Sequence, residues 1–257
     1  MGKMVYPSPM ALTPSQINRY ARHLTLREIG GAGQNALLAA RVAIIGAGGL
    51  GGPAGLYLTA AGIGMITLID DDTVDTSNLQ RQIQFRTSDI NAGKAETMGK
   101  RLETLNPDCQ VKRITTRLTA KNAESLLQKH DIILDGTDNF TSRFAVNAAS
   151  RALNIPLVSG ALGRFDLQLG VFNASGTSPC YRCFISEMPE DEENCATHGV
   201  LGAIAGMGGS MMAMEAIKLI TGAGDPLDGR LYIYDALRAT GRTIGLTRDP
   251  GCPLCGV

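Results

Sequence analysis

An excess of charge of either sign is missing from this sequence: its 257 residues hold 24 Lys and Arg against 24 Asp and Glu. Without a net field, nothing draws the whole chain to nucleic acid or to an anionic membrane, so any charge that binds phosphate must be local. Histidine is scarce, at three residues, which leaves arginine and lysine as the available cations. The amino-terminal stretch MGKMVYPSPMALTPS lacks the continuous apolar run of an export signal, and Tyr6 stands where a myristoylation signal needs Ser or Thr. The uncharged stretch 199–214 is glycine-rich and shorter than the ~20 residues that span a bilayer. The expectation is a cytoplasmic protein with no membrane contact. In a reducing compartment its six cysteines point to metal or redox chemistry before disulfides.

Neither an internal repeat nor a low-complexity linker divides the chain. LTPSQINRYARHLTLREIG opens with Thr13 as N-cap, Pro14 at the first helical position and Gln16 completing a capping box, predicting a helix to about Ile29. Strand-like runs then alternate with helical ones: RVAIIG, a Gly/Ala/Leu-rich helix, MITLID, a helix in NAGKAETMGKRLETLN, QVKRITT, AESLLQKH, DIILDG, a helix from about Thr141, and IPLVSG. This is the pattern of a parallel sheet with helices on both faces. Beyond Gly160 the segments RFDLQLGVFNAS and RLYIYDALRATGRTIGLTR alternate like antiparallel strands, with one long helix, about Ala203 to Ile220, between them. The expected fold is α/β, a Rossmann-like parallel half continuing into a mixed or antiparallel sheet within one unit over 1–257. The change of topology falls at about residue 160.

VAIIGAGGLGG places Gly46, Gly48 and Gly51 as G-x-G-x-x-G after the first of these strands. Gly46 permits a tight turn, Gly48 a close approach of backbone to phosphate, and Gly51 close packing of the following helix, whose N-terminus faces the anion. Asp70 ends the next strand about 20 residues on, where a carboxylate accepts from ribose hydroxyls in NAD or ATP alike. Asp71 and Asp72 read equally well as solvated strand-end charges. SNLQRQ (Ser77 to Gln82), Lys94 in NAGKAE and Asp138 in DGTDN tip the choice. A dinucleotide pyrophosphate is satisfied by amides and a helix end, whereas a triphosphate under attack needs cations and a magnesium ion. Asn78, Arg81 and Lys94 are suitable donors.

CYRC and CPLC supply Cys180, Cys183, Cys252 and Cys255. Two C-x-x-C pairs offer four thiolates to a tetrahedral structural zinc and leave no position open for catalysis. Such a site would staple the chain end to the middle of the second half. Cys109 reads as a small packed residue. Met207, Met211, Met212 and Met214 on the long helix suit core or dimer packing, with a partner-binding face as the alternative.

At these motifs, from RYARHLTLREIG through IIGAGGLGG, LIDDDTVDTSNLQRQ, GKAE, DGTDNFTSR and PCYRCF to CPLC, the sequence resembles the bacterial ubiquitin-activating-like adenylyltransferases ThiF and MoeB. The resemblance implies adenylation of the C-terminal Gly-Gly carboxylate of a ubiquitin-like (β-grasp) sulfur-carrier protein by ATP, with release of pyrophosphate, for thiamine or molybdopterin biosynthesis. It further implies a nucleotide loop with Gly49 at its centre and Asp70 on the ribose. Asp72, Ser77, Leu79 and Gln80 border the nucleotide, while Asn78 and Arg81 contact the phosphates with Lys94. Asp138, beside Asn139, is the magnesium ligand. Arg22 matches an arginine that reaches the triphosphate of a neighbouring subunit, which makes the site a property of a homodimer. The half up to about 160 then binds nucleotide and the half from about 161 binds zinc and carrier. Arg143 is a further partner or phosphate contact.

Cys195 lies in an acidic segment that reads either as a solvated mobile crossover or, by resemblance to the thiamine branch, as the site of a covalent link to the carrier's C-terminus during sulfur transfer. His198 would lower its pKa and the neighbouring carboxylates raise it. With nothing like a rhodanese domain after CPLCGV, the expected sulfur donor is a separate protein. Two rival functions stay open. A nicotinamide-dependent oxidoreductase explains the glycine loop and Asp70 but leaves SNLQRQ, Lys94, Asp138 and the cysteine pairs without a task. A non-catalytic subunit binding a ubiquitin-like protein has no need of the nucleotide residues, which are retained at every matched position.

Overall fold

A computed structural model describes residues 11–188 and 199–256. The first helix, α1 (Pro14–Arg19), has the capping box its sequence calls for, with Thr13 accepting from the Gln16 amide and the Gln16 side chain returning the bond. It does not run on to Ile29. The backbone breaks at Tyr20 (φ −101°, ψ 15°) and resumes as the single turn α2 (Ala21–Leu24). The break lets the Tyr20 ring enter the core, where its hydroxyl accepts from Asn106 Nδ2 at 2.9 Å. A separate helix, α3 (Gly30–Ala39), follows. Its glycines and weak amphipathicity hide it from pattern reading, and burial of Leu37 and a bond from Gln34 Nε2 to the Ala61 carbonyl at 2.9 Å hold it.

Five parallel strands come next: β1 (Arg41–Ile45), β2 (Met65–Ile69), β3 (Gln110–Ile114), β4 (Ile132–Asp135) and β5 (Leu157–Leu162). The connecting helices are α4 (Gly51–Ala61) between β1 and β2, α5 (Lys94–Leu105) before β3, α6 (Ala123–Leu127) before β4 and α7 (Phe140–Leu153) before β5. After β5 the direction alternates. Strand β6 (Asp166–Phe172) pairs antiparallel with β5, then β7 (Arg230–Asp235) and β8 (Thr240–Gly245) close the sheet as a hairpin. The order is β3-β2-β1-β4-β5-β6-β7-β8, so the second half extends the first half's sheet, as expected.

Successive residues of a strand face opposite sides, and β1 uses both. Val42 and Ile44 enter a core with Leu58, Met98, Leu102 and Met212, while Ala43 and Ile45 face a second core with Leu127, Val146 and Phe172. Burial on both faces explains why RVAII reads as a continuous apolar run. The long helix α8 (Gly202–Thr221) lies against α4, β5 and β6. It is long and apolar enough by length and composition to cross a membrane, yet 56% of its apolar window is buried within this fold. Met212 is in the core, Met211 is partly buried, and Met207 and Met214 face outward.

Candidate active site

Strand order reverses between β1 and β4, and in such sheets the carboxyl ends of the flanking strands open a crevice for a ligand. Here that crevice is a cavity of about 250 Å³. Its floor is Gly46, Gly48 and Gly49 after β1, one wall is Asp70 to Asp72 after β2, and the other is Gly136 to Asn139 after β4.

Two of the glycines meet the steric demands their spacing predicts. Gly46 sits at φ +86°, in the left-handed region, and a Cβ on Gly51 would stand 1.8 Å from the Gly46 carbonyl oxygen. The loop is tied down from beneath. Gln84 Nε2 donates to the carbonyls of Ala47 and Gly48 at 2.7 and 3.1 Å. Asp70 accepts from the Ala47 amide at 2.7 Å and from the Asp72 amide at 2.9 Å. Burial pushes the Asp70 carboxyl above the ordinary Asp value, and these two amides, with Lys94, pull it partly back.

Cations reach the cavity from two directions. Lys94 is the first residue of α5 and 7% exposed, and its Nζ donates to Asp72 Oδ2 at 2.9 Å. Arg81 lies along Gly49 and is steadied by a bond from one guanidinium nitrogen to the Ser77 carbonyl at 3.0 Å. On the opposite wall, Asn139 caps α7 by accepting from the Ser142 amide at 2.9 Å. Among the described residues, the neighbouring Asp138 carboxylate has one long bond, from Asn139 Nδ2 at 3.5 Å. A hard carboxylate left that free, in a cleft lined by Lys94 and Arg81, fits a magnesium ion that takes one protein carboxylate beside substrate phosphates and waters.

Thus Gly46, Gly48, Gly49, Asp70, Asp72, Arg81, Lys94, Asp138 and Asn139 share one cavity, with Gly51 packed beneath it. Ser77, Asn78, Leu79 and Gln80 do not line it. Asn78 completes a capping box with Asp75 around the short helical turn Thr76–Asn78, and Gln80 reaches the Val200 carbonyl at 3.4 Å. Arg22 is exposed on α2 and outside the cavity. Cys195 and His198 lie outside the described residues. Sequence reasoning missed Gln84, which stands outside the quoted motifs, and Asp135, the first residue of DGTDN, whose side chains hold the loops. Thr116, Arg117 and Leu118 also line the cavity and were missed, because the loop after β3 carries no chemical signature.

The four knuckle cysteines meet. Their sulfurs all lie within 4.8 Å of one another, with Cys180–Cys252 at 3.6 Å, Cys183–Cys180 at 3.9 Å and Cys183–Cys255 at 3.4 Å. Zinc–sulfur bonds of about 2.3 Å in a tetrahedron put sulfurs about 3.8 Å apart, so the set is compatible with a zinc ion after a small closing of its widest pair. Burial pushes the Cys180 and Cys183 thiols up. At Cys252 burial acts the same way, but the amides of Cys255 and Leu254 outweigh it and bring the thiol down to about 7. Arg248 Nε fastens the second knuckle through the Cys255 carbonyl at 2.7 Å.

A doubly wound sheet with a nucleotide-type crevice into which cations converge, beside a four-cysteine cluster, defines an α/β protein of the nucleotide-binding type. Residues 20–254 match the ThiF family, and the chain belongs to it. It is 44% identical over 238 residues to the sulfur carrier protein ThiS adenylyltransferase of Escherichia coli (strain K12), covering 93% of this chain and 94% of the relative. To the molybdopterin-synthase adenylyltransferase of the same strain it is 40% identical over 245 residues, covering 95% and 98%. In fold it is similar to a crystal structure of E. coli MccB with ATP, at a TM-score of 0.83 and 23% identity over 95% of this chain and 75% of that one.

Proposed function

We propose that the chain adenylates the C-terminal Gly-Gly carboxylate of a ubiquitin-like sulfur-carrier protein, using ATP and releasing pyrophosphate. The observation that carries this is the convergence of Arg81, Lys94 and Asp138 on the Gly46–Gly51 loop in one cavity. An α-carboxylate, with a reference pKa of about 3.5, is already ionised at neutral pH, so the reaction asks for no general base. What it asks for is the approach of one anion to another, which positioning and charge neutralisation supply. A carrier carboxylate oxygen attacks the α-phosphorus, the bond from that phosphorus to the bridging oxygen breaks, and its electron pair leaves with pyrophosphate. The loop amides and Gly49 leave room for the α-phosphoryl group, Arg81 and Lys94 offset charge on the phosphates, and Asp70 accepts from the ribose. Asp138 would hold magnesium, which when bound adds charge neutralisation across the phosphates. Cys180, Cys183, Cys252 and Cys255 would hold a structural zinc.

A hydride-transfer function leaves these cations without a task. Arg22, exposed on α2 and outside this chain's cavity, would act on the site of a second copy, and the proposed working form is a homodimer. The sulfur donor is a separate protein, the compartment is the cytoplasm, and the pathway, thiamine or molybdopterin, follows from the carrier supplied. The test is carrier-dependent exchange of labelled pyrophosphate into ATP with a panel of Gly-Gly carriers. Arg81→Ala should abolish exchange while leaving the far-ultraviolet spectrum intact, and near-normal exchange in that variant would refute the assignment.

A further inference from the structure

Arg143 projects from the first turn of α7 and is 6% exposed. A buried guanidinium needs acceptors on several sides or a carboxylate partner. Here it has both, but the carboxylate is one residue removed. One terminal nitrogen donates to Ser159 Oγ at 3.2 Å, and Ser159 Oγ donates onward to Asp135 Oδ2 at 3.5 Å. The other donates to the Gly160 carbonyl at 2.8 Å and, in a short contact, to the Thr137 carbonyl. Asp135, 1% exposed, accepts from the Thr137 amide at 3.0 Å and the Thr137 hydroxyl at 2.7 Å.

Thr137 is therefore gripped at its amide and hydroxyl by Asp135 and at its carbonyl by Arg143. That carbonyl belongs to the peptide unit whose nitrogen is Asp138's, so its orientation sets where the Asp138 side chain departs. Beyond Asp138, the Asn139 cap fixes the chain to the helix that bears Arg143. Every neighbour of Asp138 is immobilised by charge-assisted or capping bonds, while its own carboxylate is left nearly free. Arg143 also lines the cavity, but both of its terminal nitrogens donate to protein acceptors, which suits it to holding the loop.

We propose that the Arg143–Ser159–Asp135 relay is a positioning device that aims Asp138 at the metal of a metal–nucleotide complex. The proposal rests on the adenylating function above. Removing partners that orient a metal-binding carboxylate typically weakens metal binding by about 10- to 100-fold. The experiment is binding of Mn²⁺ with ATP to the full chain, read from the electron paramagnetic resonance of bound Mn²⁺, beside ATP binding in metal-free buffer. Arg143→Lys, which cannot serve three acceptors at once, and Ser159→Ala, which breaks the relay with little change of volume, should each weaken Mn²⁺ binding about ten-fold and leave metal-free ATP binding within about two-fold. Added to Asp138→Asn, neither should weaken Mn²⁺ binding further, because residues acting through one group are not additive. Unchanged Mn²⁺ binding in a folded variant, or full additivity with Asp138→Asn, would overturn the proposal. Should Arg143→Lys fail to fold, Ser159→Ala decides the matter alone. A wild-type chain that binds no metal–ATP complex would instead sink the adenylating function itself.

Discussion

Lys94 Nζ stands 2.9 Å from Asp72 Oδ2, the ammonium buried and the carboxylate open to solvent. The pair joins the start of α5 to the end of β2 and presents the lysine to the cavity at a fixed angle. Lys94→Met keeps the buried aliphatic volume and removes the charge, so the fold should survive while carrier-dependent exchange falls about 10²- to 10³-fold, the usual cost of a lost transition-state donor. Asp72→Asn should disturb only the aim of Lys94, raising KM for ATP about ten-fold, or about 1.4 kcal/mol, with kcat less affected. Initial rates across ATP concentrations separate the two. An Asp72→Asn variant that loses kcat as severely as Lys94→Met would mean that Asp72 touches the reacting groups itself.

Gly51 and Gly31 make a contrasting pair. A Cβ at Gly51 meets the Gly46 carbonyl oxygen at 1.8 Å, whereas one at Gly31, in the first turn of α3, meets nothing within 4 Å. Gly51→Ala should therefore destabilise by about 1–3 kcal/mol through overpacking and weaken ATP binding, since the loop must move. Gly31→Ala should stabilise by about 0.4–1 kcal/mol through the unfolded chain alone. Urea unfolding of the two variants is the check, and equal effects would show that the glycine loop tolerates displacement.

Much of this arrangement was legible in the sequence because local rules govern it. Strands β1, β2, β4 and β5 announce themselves as apolar runs, Gly46 and Gly51 have steric reasons for being glycine, and two C-x-x-C pairs have few other uses. What stayed hidden depends on contacts between distant residues. The break at Tyr20 is decided by Asn106, far along the chain, and α3 is held by burial against its own weak propensity. Arg143 could be seen as a charge near the site, but its partners Ser159 and Asp135 come from two other strands, so only the folded chain shows that it faces inward. The proposed action of Arg22 on a second copy and the role of Cys195, which lies outside the described residues, rest on sequence resemblance alone.

Zinc occupancy is open to direct measurement. Carefully prepared protein should carry stoichiometric zinc by elemental analysis, and its removal by a strong chelator should lower Tm by about 5–10 °C, as a loss of 2–3 kcal/mol does for a domain of this size. Tyr181 carries one core into the first knuckle, but the rest of both cores is built by residues outside the knuckles, so the apoprotein should keep its helix content. Cys252→Ser should reproduce the chelated state. Substoichiometric metal in undamaged protein, or a Tm indifferent to chelation, would leave the four sulfurs as a packed thiol cluster.

Cys195→Ser separates two chemistries that share a carrier. Adenylation as derived above uses no thiol, so pyrophosphate exchange should match wild type. Formation of carrier thiocarboxylate in the presence of a sulfur donor, followed by intact mass, should fall if the thiol holds the carrier covalently. Loss of exchange itself would contradict the division between the nucleotide cleft and the cysteine.

His130 links stability to pH. Its Nδ1 faces the Leu127 carbonyl at 3.0 Å, which can only accept, so Nδ1 carries the proton and Nε2 accepts from Thr67 Oγ1 at 2.8 Å. Burial holds the imidazole below its ordinary value, with Arg41 and Lys112 acting in the same direction and the Leu127 bond and Asp131 opposing. Above the unfolded-state pKa of about 6.5 both states are neutral and the histidine makes no difference to stability with pH. As pH falls below that value the unfolded chain takes up a proton that the folded chain refuses, so stability drops until the folded value is passed. Asp70 works in the opposite sense at lower pH. Its folded value is raised, so the folded state holds a proton more tightly and stability falls as pH rises from the ordinary Asp value towards the raised one. Urea unfolding between pH 7.5 and 5.5, a window of about one unit on either side of 6.5, should show a decline in the wild type that His130→Gln flattens. Parallel curves for the two proteins would remove His130 from the acid response and leave it to the carboxylates.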